Sequence, residues 1–287
     1  FKYFDPDSVD EALLLVREWG DDGKVLAGGQ TLVPMLNFRV LRPAALIDIN
    51  RIKSLALHNH LENGTVIGAL TRQQALEDDS SLANYQPLVA AAIPLIAHRA
   101  VRNRGTVGGS LAHADPAAEW GGLVLTLEAE LVVRKHNAPD RIVRAADFFH
   151  GPLETALATD ELLVGIRLPA WPSNAGWSIV EFSRRHGDFA LAGIASMISL
   201  AEDGTCSDVR IAAFGVEPQP KRLTKAEDAL RLSRPISSLV KKTAREAAAE
   251  TSPMDDNHGS AAYRRLLVEA LVERSLTETM TRTAPQN

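Results

Sequence analysis

Apolar residues near the start of the chain recur at helical spacing: Leu13, Leu14, Val16 and Trp19 fall on one side of a predicted helix. Ser8 and Glu11 stand just before that pattern at the spacing of a capping box, and Gly20 is placed to stop the helix. Short apolar runs at 24–27, 45–49 and 65–70 predict strands. Gly28-Gly29-Gln30-Thr31 breaks the first of them, and a second helix begins near Thr31 with Pro34 in its first turn. Thr71 with Gln74 predicts the cap of another helix, and residues 87–97 read as a buried one. After a second glycine cluster, Gly105-Thr106-Val107-Gly108-Gly109-Ser110, the pattern gives a helix at 119–128 and strands at 131–134 and 162–168, the last ended by Pro169.

Residues 170–176 concentrate proline, glycine, serine and asparagine and mark the best domain boundary. Beyond them come three long strands, at 177–184, 189–200 and 209–216. Three helices follow, at 224–232, 236–249 and 260–279. Strands followed by helices predict an α+β second domain. The length of 287 residues fits two domains at ~100–200 residues each.

Composition narrows the function classes. The chain is 45% hydrophobic and 23% charged, which is globular, and no apolar run approaches the ~20 residues of a membrane span. A net charge of −5 with no basic face argues against nucleic acid. The polar start predicts no signal peptide. Cys206 is the one cysteine, which excludes a disulfide framework and an iron–sulfur site needing about four, and fits a reducing cytoplasm.

Candidate chemistry gathers at the two glycine runs. The first follows a strand and precedes a helix, a setting in which glycines allow a tight turn and free N–H groups favour an anion such as phosphate. Thr106 to Ser110 repeats the arrangement, with a hydroxyl on each side of two glycines. Two such turns suggest an extended phosphate ligand such as a dinucleotide, although a Gly-Gly pair is also an ordinary turn. Neither run is G-x-G-x-x-G, and no G-x-x-x-x-G-K-[ST] loop exists, so NAD and ATP lack motif support. His58 and His60 alternate on a predicted strand, with no third ligand near in sequence. Arg102 and Arg104 face phosphate, a partner or, by default, solvent.

Three runs carry a family resemblance: Leu26-Ala-Gly-Gly-Gln-Thr-Leu-Val-Pro-Met35, Arg102-Asn-Arg-Gly-Thr-Val-Gly-Gly-Ser-Leu-Ala-His-Ala-Asp-Pro-Ala-Ala-Glu119, and Gly259-Ser-Ala-Ala-Tyr-Arg-Arg265. Nearly the whole chain resembles the FAD-binding medium subunits of molybdenum hydroxylases, the group of carbon monoxide dehydrogenase and bacterial quinoline or nicotinate-type hydroxylases. The flavin segment of xanthine dehydrogenase is similar. The resemblance implies an α+β fold. A two-subdomain FAD-binding domain of the vanillyl-alcohol-oxidase (PCMH-like) kind would span 1–173, with subdomains at about 1–55 and 56–173. A smaller α+β domain of the carbon monoxide dehydrogenase flavoprotein type would span 177–287.

By the same resemblance, Leu26, Ala27, Gly28, Gly29, Gln30, Thr31 and Leu32 would wrap the FAD pyrophosphate. Thr106, Val107, Gly108, Gly109 and Ser110 would hold phosphates and ribityl chain from the other side. Ile96 and Ala97 would lie along the cofactor, Glu119 would meet the adenosine ribose, and the backbone of Leu162 and Leu163 would meet the flavin ring. Phe189 would sit beside the isoalloxazine. Gln30, Ser110 and Phe189 depart from residues common in relatives (His or Asn, Asn, and Tyr) and bear on flavin tuning rather than on binding.

The resemblance further implies that electrons arise at a molybdenum centre in a large subunit. They pass through two [2Fe–2S] clusters of a small subunit to FAD here, and then to an external acceptor, in a heterotrimer that commonly pairs into a dimer of trimers. No catalytic acid–base pair, nucleophile or metal ligand set is expected in this chain. The competing readings are a stand-alone FAD oxidoreductase of the vanillyl-alcohol-oxidase-like superfamily and an assembly module without flavin. The short C-terminal part argues against the former, and two intact glycine runs argue against the latter.

Overall fold

In the computed structural model, which describes residues 1–283, the described residues build three main sheets in succession and one two-stranded hairpin. The first comprises β1 (Lys2–Phe4), α1 (Val9–Trp19), β2 (Gly23–Leu26), α2 (Leu32–Asn37) and β3 (Ala45–Asp48), with the strands parallel in the order β1-β3-β2. The capping box of α1 forms by half: Glu11 N–H donates to Ser8 Oγ at 3.2 Å, while the Glu11 carboxylate accepts from Asp7 N–H instead. Ala12, Leu13 and Val16 bury its apolar side, and Gly20 ends it at φ +45°.

The second sheet is antiparallel, in the order β4-β5-β10-β6-β7. Along the chain come β4 (His58–Leu61), β5 (Gly64–Gly68), a run of helices, then β6 (Glu130–Lys135), β7 (Arg141–Arg144), the separate hairpin β8 (Phe149–Gly151) and β9 (Glu154–Thr155), whose strands pair with each other, and β10 (Glu161–Pro169). The intervening helices are α3 (Gln73–Glu77), α4 (Leu82–Tyr85), α5 (Pro87–Ala92), α6 (Arg99–Arg102), α7 (Val107–His113) and α8 (Glu119–Thr126). The helix expected across 87–97 stops at Ala92. Pro94 lies in a tight 3-10 turn, and Ala97 takes a left-handed φ of 46° that ends the segment. Thr71 is not the cap of α3: Arg72 holds that place without a side-chain bond, and Thr71 Oγ1 donates to Leu57 O at 3.2 Å.

The third sheet is an antiparallel meander of β11 (Ala175–Phe182), β12 (Ala192–Leu200), β13 (Cys206–Phe214) and β14 (Lys221–Arg222). It is followed by α9 (Thr224–Leu230), α10 (Ser237–Glu250) and α11 (Ala261–Arg282). Strand alternation divides its side chains between two cores. Val180, Ile194, Ile211 and Ala213 pack with Val240, Ala244, Val268 and Val272 of the C-terminal helices. Ile179, Ala195, Ala212 and Phe214 join Trp120, Leu123 and Val124 of α8 in the core of the second sheet.

Helix α8 therefore lies between two sheets, and all eight of its residues are buried. Glycines permit that close approach: a Cβ on Gly121 would meet Pro220 at 2.7 Å, and one on Gly122 would meet Phe214 at 2.6 Å. No helix among the described residues is long and apolar enough to cross a membrane.

Candidate cofactor site

The first glycine run leaves the end of β2, where Asn50 Nδ2 donates to Ala27 O at 2.7 Å and Ile49 N–H to Leu26 O at 3.1 Å. Gly28 then crosses the second run at contact distance. A Cβ there would lie 2.4 Å from Arg104 O and 2.9 Å from Gly105 Cα. Gly29 turns the chain at φ +72°. Among the described residues, the amides of Gly28, Gly29, Gln30 and Thr31 donate to no protein acceptor. Gln30 and Thr31 are exposed, α2 buries none of its residues, and the Thr31 side chain makes no cap. The result is an open row of N–H donors on a turn, an arrangement that receives an anion.

The second run differs. Val107 N–H donates to Thr71 O at 3.1 Å, Gly108 N–H to Ala69 O at 2.9 Å, and Ser110 N–H to Thr106 O at 3.1 Å. Gly109 N–H donates to Thr106 Oγ1 at 3.0 Å, the N-cap bond of α7. A Cβ on Gly108 would lie 2.4 Å from that of Ala69, and one on Gly109 would lie 3.7 Å from that of Ala27. The start of α7 thus faces the first run while its own amides are engaged.

Arg72 clamps the two runs together. Its Nη1 donates to Arg104 O, and its Nη2 donates to Asn50 Oδ1 at 2.5 Å. Neither Asn50 nor Arg72 emerged from the sequence reading. The signal for Asn50 lay in Asp48-Ile49-Asn50, a polar pair closing the strand beside β2. Arg72 had no such signal, because its role depends on a contact 32 residues away.

Ile96 and Ala97 form a left-handed turn whose two carbonyls accept from Arg102 Nη1 at 2.9 and 3.0 Å. Arg102 is 6% exposed and makes a two-pronged ion pair with Glu77 at 2.9 Å, so it braces this turn and does not face solvent. The neighbouring His98 ring meets that of His186 edge-on at 6.0 Å, and a Cβ on Gly187 would fall 2.5 Å from His98. The loop that carries Phe189 therefore lies against the Ile96–Ala97 turn. Phe189 sits outside the strand expected to contain it, because Gly187 turns at φ +87° and β12 starts only at Ala192. It is 61% exposed and lines a cavity of about 760 Å³ together with Asp115, Arg184, Asp256 and Arg264. Arg264, in the third family-like run, donates to Leu191 O at 2.6 Å, to Gly215 O at 2.7 Å and to Asp256 at 2.6 Å, and so braces the cavity wall.

Glu119 opens α8 and is 4% exposed. Burial, with the charge of Asp115 adding to it, pushes its carboxyl up to about 7. Burial and then the charge of Glu119 push Glu181, on β11, up to about 8. The Oε2 of Glu181 is buried with no hydrogen-bond partner among the described residues. Leu162 and Leu163 are buried in different cores on opposite faces of β10, paired to Arg134 and Val133 of β6. The fold thus joins the two glycine runs, and separately joins the Ile96–Ala97 turn to the Phe189 loop. The core that holds Leu162 takes in Ala27 of the first glycine run, and the core that holds Leu163 takes in Ile96 and Ala97. Cys206 is buried, which pushes its thiol up to about 11 and makes it unreactive.

Residues 1–171 match the family described as FAD binding domain in molybdopterin dehydrogenase, and residues 177–279 match the CO dehydrogenase flavoprotein C-terminal domain. The 6-hydroxypseudooxynicotine dehydrogenase complex subunit alpha of Paenarthrobacter nicotinovorans is 39% identical, over 99% of this chain and 96% of its own. Carbon monoxide dehydrogenase from Hydrogenophaga pseudoflava superposes with a TM-score of 0.95 at 38% identity, over 99% of this chain and 98% of its own. Quinoline 2-oxidoreductase from Pseudomonas putida 86 gives a TM-score of 0.92 at 33% identity, over 98% and 97%. The chain belongs to the FAD-binding medium-subunit family of the molybdenum hydroxylases. It is an oxidoreductase subunit and FAD is its cofactor. The residues fit that group, since four unengaged amides on one turn suit a pyrophosphate.

Proposed function

We propose that this chain is the FAD-carrying electron-transfer subunit of a heterotrimeric molybdenum hydroxylase. It would take electrons from the [2Fe–2S] clusters of a small subunit and pass them to an external acceptor. The electrons originate at a molybdenum site in a large subunit that hydroxylates an N-heteroaromatic or related small molecule. The unengaged amides of Gly28 to Thr31 carry this reading, supported by the family match and by relatives whose names include quinoline 2-oxidoreductase.

FAD, when bound, accepts and releases electrons, and the chain supplies binding, orientation and tuning. The first glycine run, with Leu26, Ala27 and Leu32 at its ends, would hold the pyrophosphate. Gly109 and Ser110, the part of the second run that faces it, would approach from the other side, while Thr106, Val107 and Gly108 position the turn. Ile96 and Ala97 would line the path to Phe189, which would stack beside the flavin ring. Leu162 and Leu163 would contribute backbone, and Glu119 would serve the ribose as a neutral or ionised partner according to pH.

Residues 1–173 would act as the FAD-binding domain, with subdomains at about 1–55 and 56–173. Residues 177–287 would form the second domain, whose last four lie outside the described residues. The assembly would be a cytoplasmic dimer of heterotrimers.

The absorption spectrum of the natively expressed complex tests the reading, with chromatography of the nucleotide released on denaturation. One FAD per copy of this chain, iron–sulfur absorption and two further subunits are expected. FAD with substrate turnover in the isolated chain would instead identify a stand-alone oxidoreductase, and a chain without flavin would overturn both.

A further inference from the structure

Strand alternation puts His58 and His60 of β4 on one face, and the fold brings a third donor to them from a distance. Asp79, in the turn between α3 and α4, places its Oδ2 3.0 Å from His58 Nε2 and 2.8 Å from His60 Nε2. The three ligand atoms lie within 4.8 Å of one another. Their side chains are 21%, 11% and 17% exposed, enclosed yet open to an ion from solvent.

The group is held from behind through atoms other than the three that converge. The other oxygen of Asp79, Oδ1, accepts from Ser81 N–H at 2.9 Å and from Ser81 Oγ at 2.7 Å. His60 Nδ1 lies 3.0 Å from Thr65 Oγ1, and the His60 ring stacks on Tyr85 with centroids 4.4 Å apart and planes 1° apart. Such outer contacts fix a ligand's orientation.

We propose that His58, His60 and Asp79 bind one divalent transition-metal ion of the zinc type, with water completing a tetrahedral shell. Two imidazoles and a carboxylate are a zinc donor set. Tetrahedral ligands at ~2.0–2.1 Å from the metal stand roughly 3.3–3.4 Å apart, so the two His–Asp spacings of 3.0 and 2.8 Å would open by a few tenths of an ångström on binding, and the two imidazole nitrogens start within 4.8 Å of each other.

Without metal, each Nε2 faces the Asp79 carboxylate, which can only accept, and so carries a hydrogen donated to it. With metal, the Nε2 atoms turn their lone pairs to the ion. The His60 hydrogen then sits on Nδ1, where it donates to Thr65 Oγ1. The ion would tie edge strand β4 to the α3–α4 turn. β5, paired to β4 through His60 and Thr65, leads on to Ala69 and Thr71, the residues that hold the second glycine run.

The test uses the full chain without a histidine tag, stripped by chelator and dialysed against Zn²⁺ or Co²⁺. One ion per chain is expected, with a raised Tm that chelator reverses and a tetrahedral cobalt visible spectrum. His60→Asn should lose stoichiometric binding, and Thr65→Val should weaken it about 10-fold or more. If His60→Asn fails to fold, the more exposed His58→Asn serves in its place. No binding by the wild type, or equal binding by Asp79→Asn, would overturn the site.

Discussion

Residues 28–31 and 106–110 share paired glycines, flanking hydroxyls and a position before a helix. At the first, four amides are unengaged and the side chains of Gln30 and Thr31 face solvent. At the second, Val107, Gly108, Gly109 and Ser110 all donate within the protein, and Gly108 is pressed on Ala69. In the proposed function, the first run would receive the ligand, and the second would mainly support it. A glycine pair in sequence signals that backbone comes close to something. Whether that something is a phosphate or another strand depends on where the amides point.

Exchanging the glycines separates these roles. Gly108→Val, whose branched side chain would enter the backbone of Ala69, should cost about 3 kcal/mol or more even in the flavin-free chain, read by denaturant unfolding. Unchanged stability with lost FAD would give the second run a direct binding role instead. Arg72→Ala comes next. It releases Asn50 and Arg104 together and should weaken FAD about 10-fold in a flavin titration, with about 1–3 kcal/mol of stability lost. Equal FAD affinity would show that the clamp is irrelevant to the receptor turn.

A smaller effect is expected where the second and third sheets meet. Folding raises the Glu181 carboxyl from 4.5 to about 8, so its ionisation opposes the folded state. The contribution of this one group to stability is then greatest below about pH 4.5 and falls as pH rises from there to about 8. Glu181→Gln should flatten that decline and leave the variant about 1–2 kcal/mol more stable than wild type at pH 8. Parallel pH–stability curves for the two proteins would count against it. Phe189→Ala should change binding least. A stacking contact of about 0.5–1.5 kcal/mol is removed, FAD stays bound, and the flavin potential or acceptor rate shifts. If both stay fixed, Phe189 lies outside the flavin's reach.

Local signals were legible from spacing alone: the Ser8 cap, the strand before Gly28, and the alternation that fills both faces of β12 and β13. The site was legible to the extent that it is contiguous in the chain. Arg102 read as a surface or phosphate-facing charge because its partner, Glu77, is 25 residues away. His58 and His60 read as a pair lacking a third ligand because Asp79 arrives through a turn between helices. The engaged amides of Val107 and Gly108 were invisible for the same reason, since their acceptors, Thr71 and Ala69, lie just past a strand end more than thirty residues upstream. Side-chain type reports local geometry, whereas long-range pairing is decided by which surfaces bury together.

The breaker-rich segment at 170–176 divides the chain in sequence, but α8 undoes that division in energy. Gly121 and Gly122 let one helix supply the core for sheets on both sides of the joint, so neither side closes its apolar face alone. A chain cut at the joint would leave Phe214 and its neighbours bare, and the two portions would melt as one cooperative unit rather than in turn. Any chimera that exchanges residues 177–287 between relatives must therefore carry a matching α8, because that helix is inherited with the first domain and needed by the second.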